Sequence, residues 1–404
     1  MQMRPCWVEI RTRALEDNFR FLQSLAALDV ELLAVVKADA YGHSLDLCAP
    51  AVVRAGGKWL GVTSVEEGLT ARALCPESRI MVMAGVFPGQ GAAVVEHRLT
   101  AVVWEPAQLD GLETAARAAG LRAGSLPVHL EIDTGMSRQG ASLDSLPSIL
   151  LRFEPGSPLR LEGIMTHLYA ADEADGHATQ QQLALLQQAL GRVETAGLYP
   201  DWLSMGSSTT LVGGMCGAIV ALAACHGMKA MLRPGLSLYG VTPRFHPDFT
   251  PPAKNDNNDA GQPASLASAH SQLQPVLTWK SAVMSVRSVH AGAAVGYNGT
   301  FVATEPMRLA LVAAGYADGL DRSLGNRFSL LVRGQRAPLA GRISMDHAVL
   351  DVTEIPGVEA GDEVVIIGSQ GAETITAYDH ADASGTIPWE IFTRIAARVP
   401  RIAV

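Results

Sequence analysis

Between about residues 11 and 239 the chain repeats one pattern: a short continuous apolar run, then a longer stretch with apolar residues at helical spacing. The runs fall at 32–36, 59–62, 80–82, 101–104, 128–132, 161–166, 202–204 and 236–239. Helix-like stretches between them include 45–55, 64–74 and 179–195. Continuous apolar runs suit strands buried on both faces, as in parallel sheets covered by their crossover helices. Eight such strands alternating with helices predict an α/β fold, a (β/α)8 TIM-like barrel over residues 11–243. The pattern then breaks. Residues 244–274 include Pro251-Pro252 and Lys254-Asn255-Asp256-Asn257-Asn258-Asp259 with no period, which reads as a linker or mobile insertion. Beyond it, 276–289, 307–313, 328–332, 348–352 and 363–367 are strand-like and separated by tight turns. They predict a mainly antiparallel β domain over 275–404, closed by a short helix within 388–398. Residues 7–10 read as a strand ahead of the barrel.

Bulk properties narrow the function classes. At 404 residues the chain is long for one ordinary domain and fits a barrel plus a second domain. With 48% hydrophobic and 18% charged residues, global disorder is excluded. A net charge of −9 argues against a nucleic-acid-binding surface. The five cysteines (Cys6, Cys48, Cys75, Cys216, Cys225) show no ligand spacing, so no metal site is expected. They read as free thiols in a reducing compartment, and the segment from Met1 to Trp7 has no apolar core of a secretory signal; a cytoplasmic protein is expected. The apolar stretch at 211–224 is interrupted by Gly213, Gly214 and Gly217 and is shorter than a bilayer span, so no membrane segment is expected.

Lys37 ends the run at 32–36 and opens Lys37-Ala38-Asp39-Ala40-Tyr41-Gly42-His43. Barrel active sites form at the carboxyl ends of strands. Desolvation there lowers an amine's pKa and makes it a usable Schiff-base nucleophile or proton carrier. Gly42 is a turn signal, and Ser44 is placed to cap the helix-like segment that begins at Leu45. Four further strings carry polar groups at barrel loops or turns. They are Arg233-Pro234-Gly235-Leu236-Ser237-Leu238-Tyr239-Gly240, Glu131-Ile132-Asp133-Thr134-Gly135-Met136-Ser137-Arg138, Thr166-His167 and Met205-Gly206-Ser207-Ser208-Thr209. Taken singly, each is as well read as a structural turn, cap or strand exit.

Together they closely resemble the bacterial alanine racemase family, and the string from Ala34 to His43 resembles that family's pyridoxal-phosphate attachment segment. The resemblance implies that Lys37 carries the cofactor covalently and that Tyr41, Ser208, Gly235 and Leu236 meet its phosphate. Ser208 is preferred here to Ser207. It implies that Arg233 faces the pyridine nitrogen, that His167 joins Arg233 to the catalytic tyrosine in a relay, and that Arg138 touches the substrate carboxylate. Many relatives have a carbamylated lysine seven residues before that arginine; here the position is Glu131, an anion able to pair with Arg138 unaided. In the β domain, Gly296-Tyr297-Asn298-Gly299 resembles the segment bearing the second acid/base, Tyr297, supplied by the other subunit of a homodimer. Gly315-Tyr316-Ala317-Asp318-Gly319 and Gly341-Arg342-Ile343-Ser344-Met345-Asp346 match as well. Tyr316, Met345 and Asp346 would line the substrate pocket. Trp389 stands where relatives usually have a tyrosine near the phosphate.

The resemblance spans Trp7 to Arg401, apart from apparent insertions at about 213–229 and before Val276. The implied activity is two-base racemisation of alanine by Lys37 and Tyr297, supplying D-alanine for peptidoglycan. Broader or serine specificity is the alternative raised by Trp389. Two rivals remain: a decarboxylase of the same architecture, and a cofactor carrier made of the barrel alone. The first should leave the carboxylate unclamped, and the second should lack Tyr297 and its domain.

Overall fold

The computed structural model describes residues 4–26, 29–173, 176–249 and 266–404. The chain divides into two compact units. One comprises Arg13–Ala40 and Cys48–Gln274; the other comprises Met1–Thr12, Tyr41–Leu47 and Pro275–Val404.

After strand β1 (Cys6–Ile10), the first unit holds eight parallel strands. They are β2 (Glu31–Val35), β3 (Trp59–Val62), β4 (Arg79–Val82), β5 (Thr100–Val103), β6 (Leu126–Glu131), β7 (Leu159–Met165), β8 (Trp202–Ser207) and β9 (Lys229–Arg233). They close as a barrel when Glu31 and Leu32 pair with Met231 and Leu232. Leu32, Leu33, Ala34, Leu60, Ile80, Val102, Leu130, Ile164 and Leu203 are wholly buried. That burial on both faces explains why these strands appear as unbroken apolar runs rather than alternating ones.

The eighth barrel strand is a correction. It was expected at 236–239, but the strand is Lys229–Arg233, and Leu236–Tyr239 is a 3-10 turn. Pro234 has no amide to donate to a ladder, and Gly235 has φ −121° and ψ −85°, outside strand geometry. Leu236, Leu238 and Tyr239 are nonetheless buried to 1% exposure or less, so a buried turn mimicked a buried strand. Within the stretch at 213–229, Cys216–Cys225 is a helix leading into β9.

The second unit is mainly antiparallel. Its strands are β10 (Leu277–Val289), β11 (Ala294–Val295), β12 (Phe301–Val302), β13 (Met307–Val312), β14 (Ser329–Val332), β15 (Gln335–Pro338), β16 (Ala348–Asp351), β17 (Glu363–Gln370), β18 (Glu373–Ile375) and β19 (Arg401–Ala403). The main sheet runs β15-β14-β17-β10-β1-β19, with β1 and β19 paired in parallel. β1 pairs antiparallel with β10, Val8 opposite Trp279, and Val8, Ile10 and Trp279 are almost completely buried. Of the linker expected at 244–274, residues 250–265 lie outside the described residues, and Leu266–Gln272 is a helix. No described helix is long and apolar enough to cross a membrane.

Candidate active site

The Lys37 turn is held from both sides of β2. Val35 donates its N–H to Pro234 O (2.9 Å), and Val36 donates to Gly61 O (2.8 Å). The buried Tyr239 hydroxyl donates to Val35 O at 3.0 Å. After Lys37 the backbone turns left-handed: Ala38, Asp39, Ala40 and Tyr41 have φ between 52° and 55°. Each such residue with a side chain costs about 1–2 kcal/mol. The structure therefore spends stability at this one turn, as functional sites commonly do. Gly42 follows at φ 75°, with the Phe392 carbonyl where a Cβ would stand, so only glycine fits. Ser44, expected as a helix cap, has φ 77°; Leu47 N–H reaches its carbonyl at 3.2 Å. Burial first, then the cations Arg138 and Arg233, hold the Lys37 amine below the ordinary lysine range, while Glu67 opposes them.

The carboxyl ends of β7, β8 and β9 bring the next groups together. Arg233, 5% exposed, donates to Ser204 Oγ (2.9 Å) and Thr166 O (2.8 Å), and its Nη2 lies 3.2 Å from His167 Nδ1. Arginine can only donate, so Nδ1 accepts and the imidazole proton sits on Nε2. Burial and the charges of Arg233, Arg138 and Lys37 push His167 down to about 3. Burial lowers Arg233 to about 10, against the pull of Glu131, which leaves it a cation at neutral pH.

A few residues away, Ser208 Oγ accepts the N–H groups of Gly235 (3.0 Å) and Ser237 (3.1 Å). With both amides donating to its oxygen, the serine hydroxyl keeps its own proton to offer an anion. Ser207 instead caps Ser208–Val212, its N–H donating to Thr210 Oγ1 at 3.1 Å. Of the two serines, Ser208 faces the Gly235 turn. The Ser208 hydroxyl, backed by these two amides, is the donor this turn presents to a small phosphate.

Glu131 and Arg138 lie near each other without a direct contact. Both line one small pocket with Gln139, Thr166 and His167. Among the described residues, however, they form no ion pair. Glu131 is 3% exposed while Arg138 is exposed. The Glu131 Oε2 accepts a short hydrogen bond from Gln139 Nε2, which also donates to Met83 O at 3.0 Å. Burial raises the Glu131 carboxyl; Arg233 and Arg138 act on it only through space. Reaching the barrel wall would cost Arg138 its hydration, and the carboxamide of Gln139 is already there.

In the second unit, Tyr297 opens the turn Tyr297–Gly299 and is 67% exposed; Tyr316 and Met345 are 42% and 53% exposed. A buried carboxylate orders the last two. Asp318 accepts Arg4 Nη2 (2.6 Å), Arg398 Nε (2.8 Å) and the Gly315 N–H (2.9 Å). Arg398 also donates to Asp346 Oδ1 at 2.8 Å and thereby holds its carboxyl below the usual range. Tyr316 N–H donates to Ser344 O (3.0 Å) and Ala317 N–H to Met345 O (2.9 Å), locking the two loops together. Tyr41 is buried, which pushes its phenol up. Trp389 is half-buried on the helix Pro388–Arg394. No motif signals Arg4, Arg398, Gln139 or Ser204; the glycine-flanked Asp318 had the strongest cue.

A lysine amine and a neutral histidine near a buried arginine, with a serine hydroxyl backed by two amides at the carboxyl end of a barrel, define a class. They mark a candidate barrel active site able to receive an anion-bearing group. Comparison with known proteins makes the class specific. The family description "Alanine racemase, N-terminal domain" matches residues 10–243, and "Alanine racemase, C-terminal domain" matches 276–403. The alanine racemase of Sorangium cellulosum is 34% identical over 408 residues, covering 99% of both chains. The structure of alanine racemase from Streptomyces coelicolor A3(2) superposes with a TM-score of 0.86 at 33% identity, covering 99% of this chain and 98% of that one. That from Bartonella henselae, with covalently bound pyridoxal phosphate, gives 0.80 at 26% identity, covering 99% of each. The chain belongs to the alanine racemase family.

Proposed function

We infer that the protein is a pyridoxal-phosphate-dependent alanine racemase, interconverting L- and D-alanine. The observation that carries this reading is the Lys37 amine, held below its ordinary pKa on a strained turn within the field of Arg138 and Arg233. The family relationship supports it, as does the donor set at Ser208 and Gly235. When bound, the cofactor supplies an electron-withdrawing ring that acidifies the substrate's α C–H bond.

The chain's own groups do the rest. The Ser208 hydroxyl, with the Gly235 and Leu236 amides around it, and the Tyr41 hydroxyl would hold the phosphate. Arg233 would meet the ring nitrogen as a donor and keep it unprotonated, moderating the ring's pull and suppressing side reactions. Lys37 Nζ takes or returns the α-proton on one face, and Tyr297 of the partner subunit does so on the other. Inversion needs two bases on opposite faces, because one base favours return to the same face. The neutral His167, joined to Arg233, belongs to the relay serving that tyrosine. Arg138 and the Met345 amide fix the carboxylate, with Tyr316 and Asp346 shaping the pocket. Glu131 supports Arg138 through space. The working form is a homodimer with shared sites, and it works in the cytoplasm, where its five free thiols stay reduced. Incubation with L-alanine and pyridoxal phosphate, followed by chiral chromatography, tests the reading. D-alanine is expected; carbon dioxide, or unchanged L-alanine, contradicts it.

A further inference from the structure

We propose that Glu67 is a positioning residue for Lys37. Its carboxylate ties the first amide of the left-handed turn, that of Ala38, to the end of β3, and so fixes where the Lys37 amine stands. The proposal rests on the reading of Lys37 as a proton carrier.

Glu67 is the third residue of the helix Val65–Leu74, with Ser64 as its N-cap. A glutamate there usually turns back to the N-cap amide and completes a capping box. Ser64 plays its half, accepting the Glu67 N–H at 3.2 Å. The Glu67 side chain goes elsewhere. Its Oε1 accepts the Ala38 N–H at 2.7 Å. Its Oε2 accepts the Thr63 N–H at 2.9 Å and the Thr63 hydroxyl at 3.0 Å. One carboxylate thus satisfies three donors from two segments of chain.

The Ala38 amide belongs to the peptide plane that begins at the Lys37 carbonyl. That plane is the junction between β2 and four residues at positive φ. A rotation there swings the Lys37 side chain, so a fixed acceptor on Ala38 fixes the lysine. A carboxylate serves better than a neutral amide, because both oxygens accept and neither end presents hydrogens to the facing donors. Charge adds a second effect. The groups acting on the Lys37 amine are Arg138, Arg233 and Glu67, and His167 lies within the field of Lys37. Glu67 is the one anion among them and favours the protonated amine. It therefore keeps Lys37 able to hold a proton as well as to release one.

The test uses the holoenzyme as parent, Glu67→Gln and Glu67→Asp. Two quantities are read: amide hydrogen exchange in the peptide spanning 37–41, and the kcat–pH profile in both reaction directions. Glu67→Gln should speed exchange in that peptide about tenfold or more, while peptides of β6 keep the parental rate. The kcat limb that depends on Lys37 should move to lower pH in both directions, because an anion that favoured the protonated amine is gone. Glu67→Asp, which keeps the charge, should return that limb toward the parental position. Parental exchange at Ala38 in Glu67→Gln overturns the proposal. So does an unshifted limb, or equal acceleration in every peptide, which would mark a merely structural role. If the parent forms no D-alanine, the functional reading fails by itself, and the exchange measurement still decides whether Glu67 fixes the turn.

Discussion

Arg233 Nη2 stands 3.2 Å from His167 Nδ1, and the guanidinium that makes this contact is anchored on Ser204 and on the Thr166 carbonyl. A permanent cation against one ring nitrogen fixes both the tautomer and the charge of the imidazole. His167 is neutral and carries its proton on Nε2, so it can donate from that atom without first being charged.

The pH dependence follows. His167 falls from an ordinary value of 6.5 to about 3 in the folded protein. Between those values the unfolded chain binds the proton and the folded one does not. The contribution to stability is therefore complete above about pH 6.5 and is lost as pH falls through the window toward 3. NMR should show a His167 ring that does not titrate between pH 8 and about 5. In Arg233→Gln, which removes the largest charge acting on it, the ring should titrate at higher pH. A His167 that titrates near its ordinary value in the parent contradicts the assignment.

Glu131 makes a prediction of opposite sign. Its carboxyl is raised by burial, so its contribution to stability is greatest at low pH and is lost as pH rises through its folded value. At neutral pH the charged form is a cost, and Glu131→Gln should leave Tm unchanged or raise it. The same change removes an anion acting on Arg138 and Arg233. It should lower kcat/KM roughly tenfold, about 1.4 kcal/mol, with the cofactor still bound. Added bicarbonate should make no difference. A parental kcat/KM in Glu131→Gln would show that the carboxylate has no part in holding the arginines.

The proposed sharing of sites across a dimer gives a mixing experiment. Lys37→Ala and Tyr297→Phe should each be inactive. Random exchange of subunits between them should restore roughly a quarter of the sites, because half the dimers are mixed and each of those has one intact pair. The absence of recovery after exchange is verified by mass spectrometry would count against a tyrosine supplied across the dimer.

Trp389 bears on specificity. It lacks the hydroxyl that a tyrosine would bring, and one hydroxyl or methylene in a pocket is worth about 1–3 kcal/mol of discrimination. Alanine should remain a good substrate, with serine the first to follow. In Trp389→Tyr the ratio of kcat/KM for L-serine to that for L-alanine should fall. A ratio equal to the parental one removes Trp389 from the pocket.

Much of the architecture was legible because burial on both faces leaves an unbroken apolar run. Lys37 could be found from its place after such a run. The eighth strand could not, since Leu236–Tyr239 is as apolar and as buried as a strand while turning as a 3-10 helix. Pro234 was the local clue that the ladder had already ended at Arg233. Glu67 illustrates a different limit. Ser64 and Glu67 have the spacing of a capping box, and half of that box forms. The other half is redirected to Ala38, which only the closed barrel brings near. Gln139 is silent for the same reason: its two acceptors, Glu131 at the end of β6 and the Met83 carbonyl just after β4, are far apart in sequence. The ion pairs of Arg4 and Arg398 on Asp318 join the two ends of the chain, a distance no local pattern encodes.

The attachment site of the cofactor tests the central claim most directly. The purified holoenzyme should be yellow. Borohydride reduction followed by proteolysis and mass spectrometry should find the cofactor mass on one peptide, that containing Lys37, and on none from Lys37→Ala. Cofactor mass on a different lysine, or on none, would contradict the assignment of Lys37 on which the whole site is built.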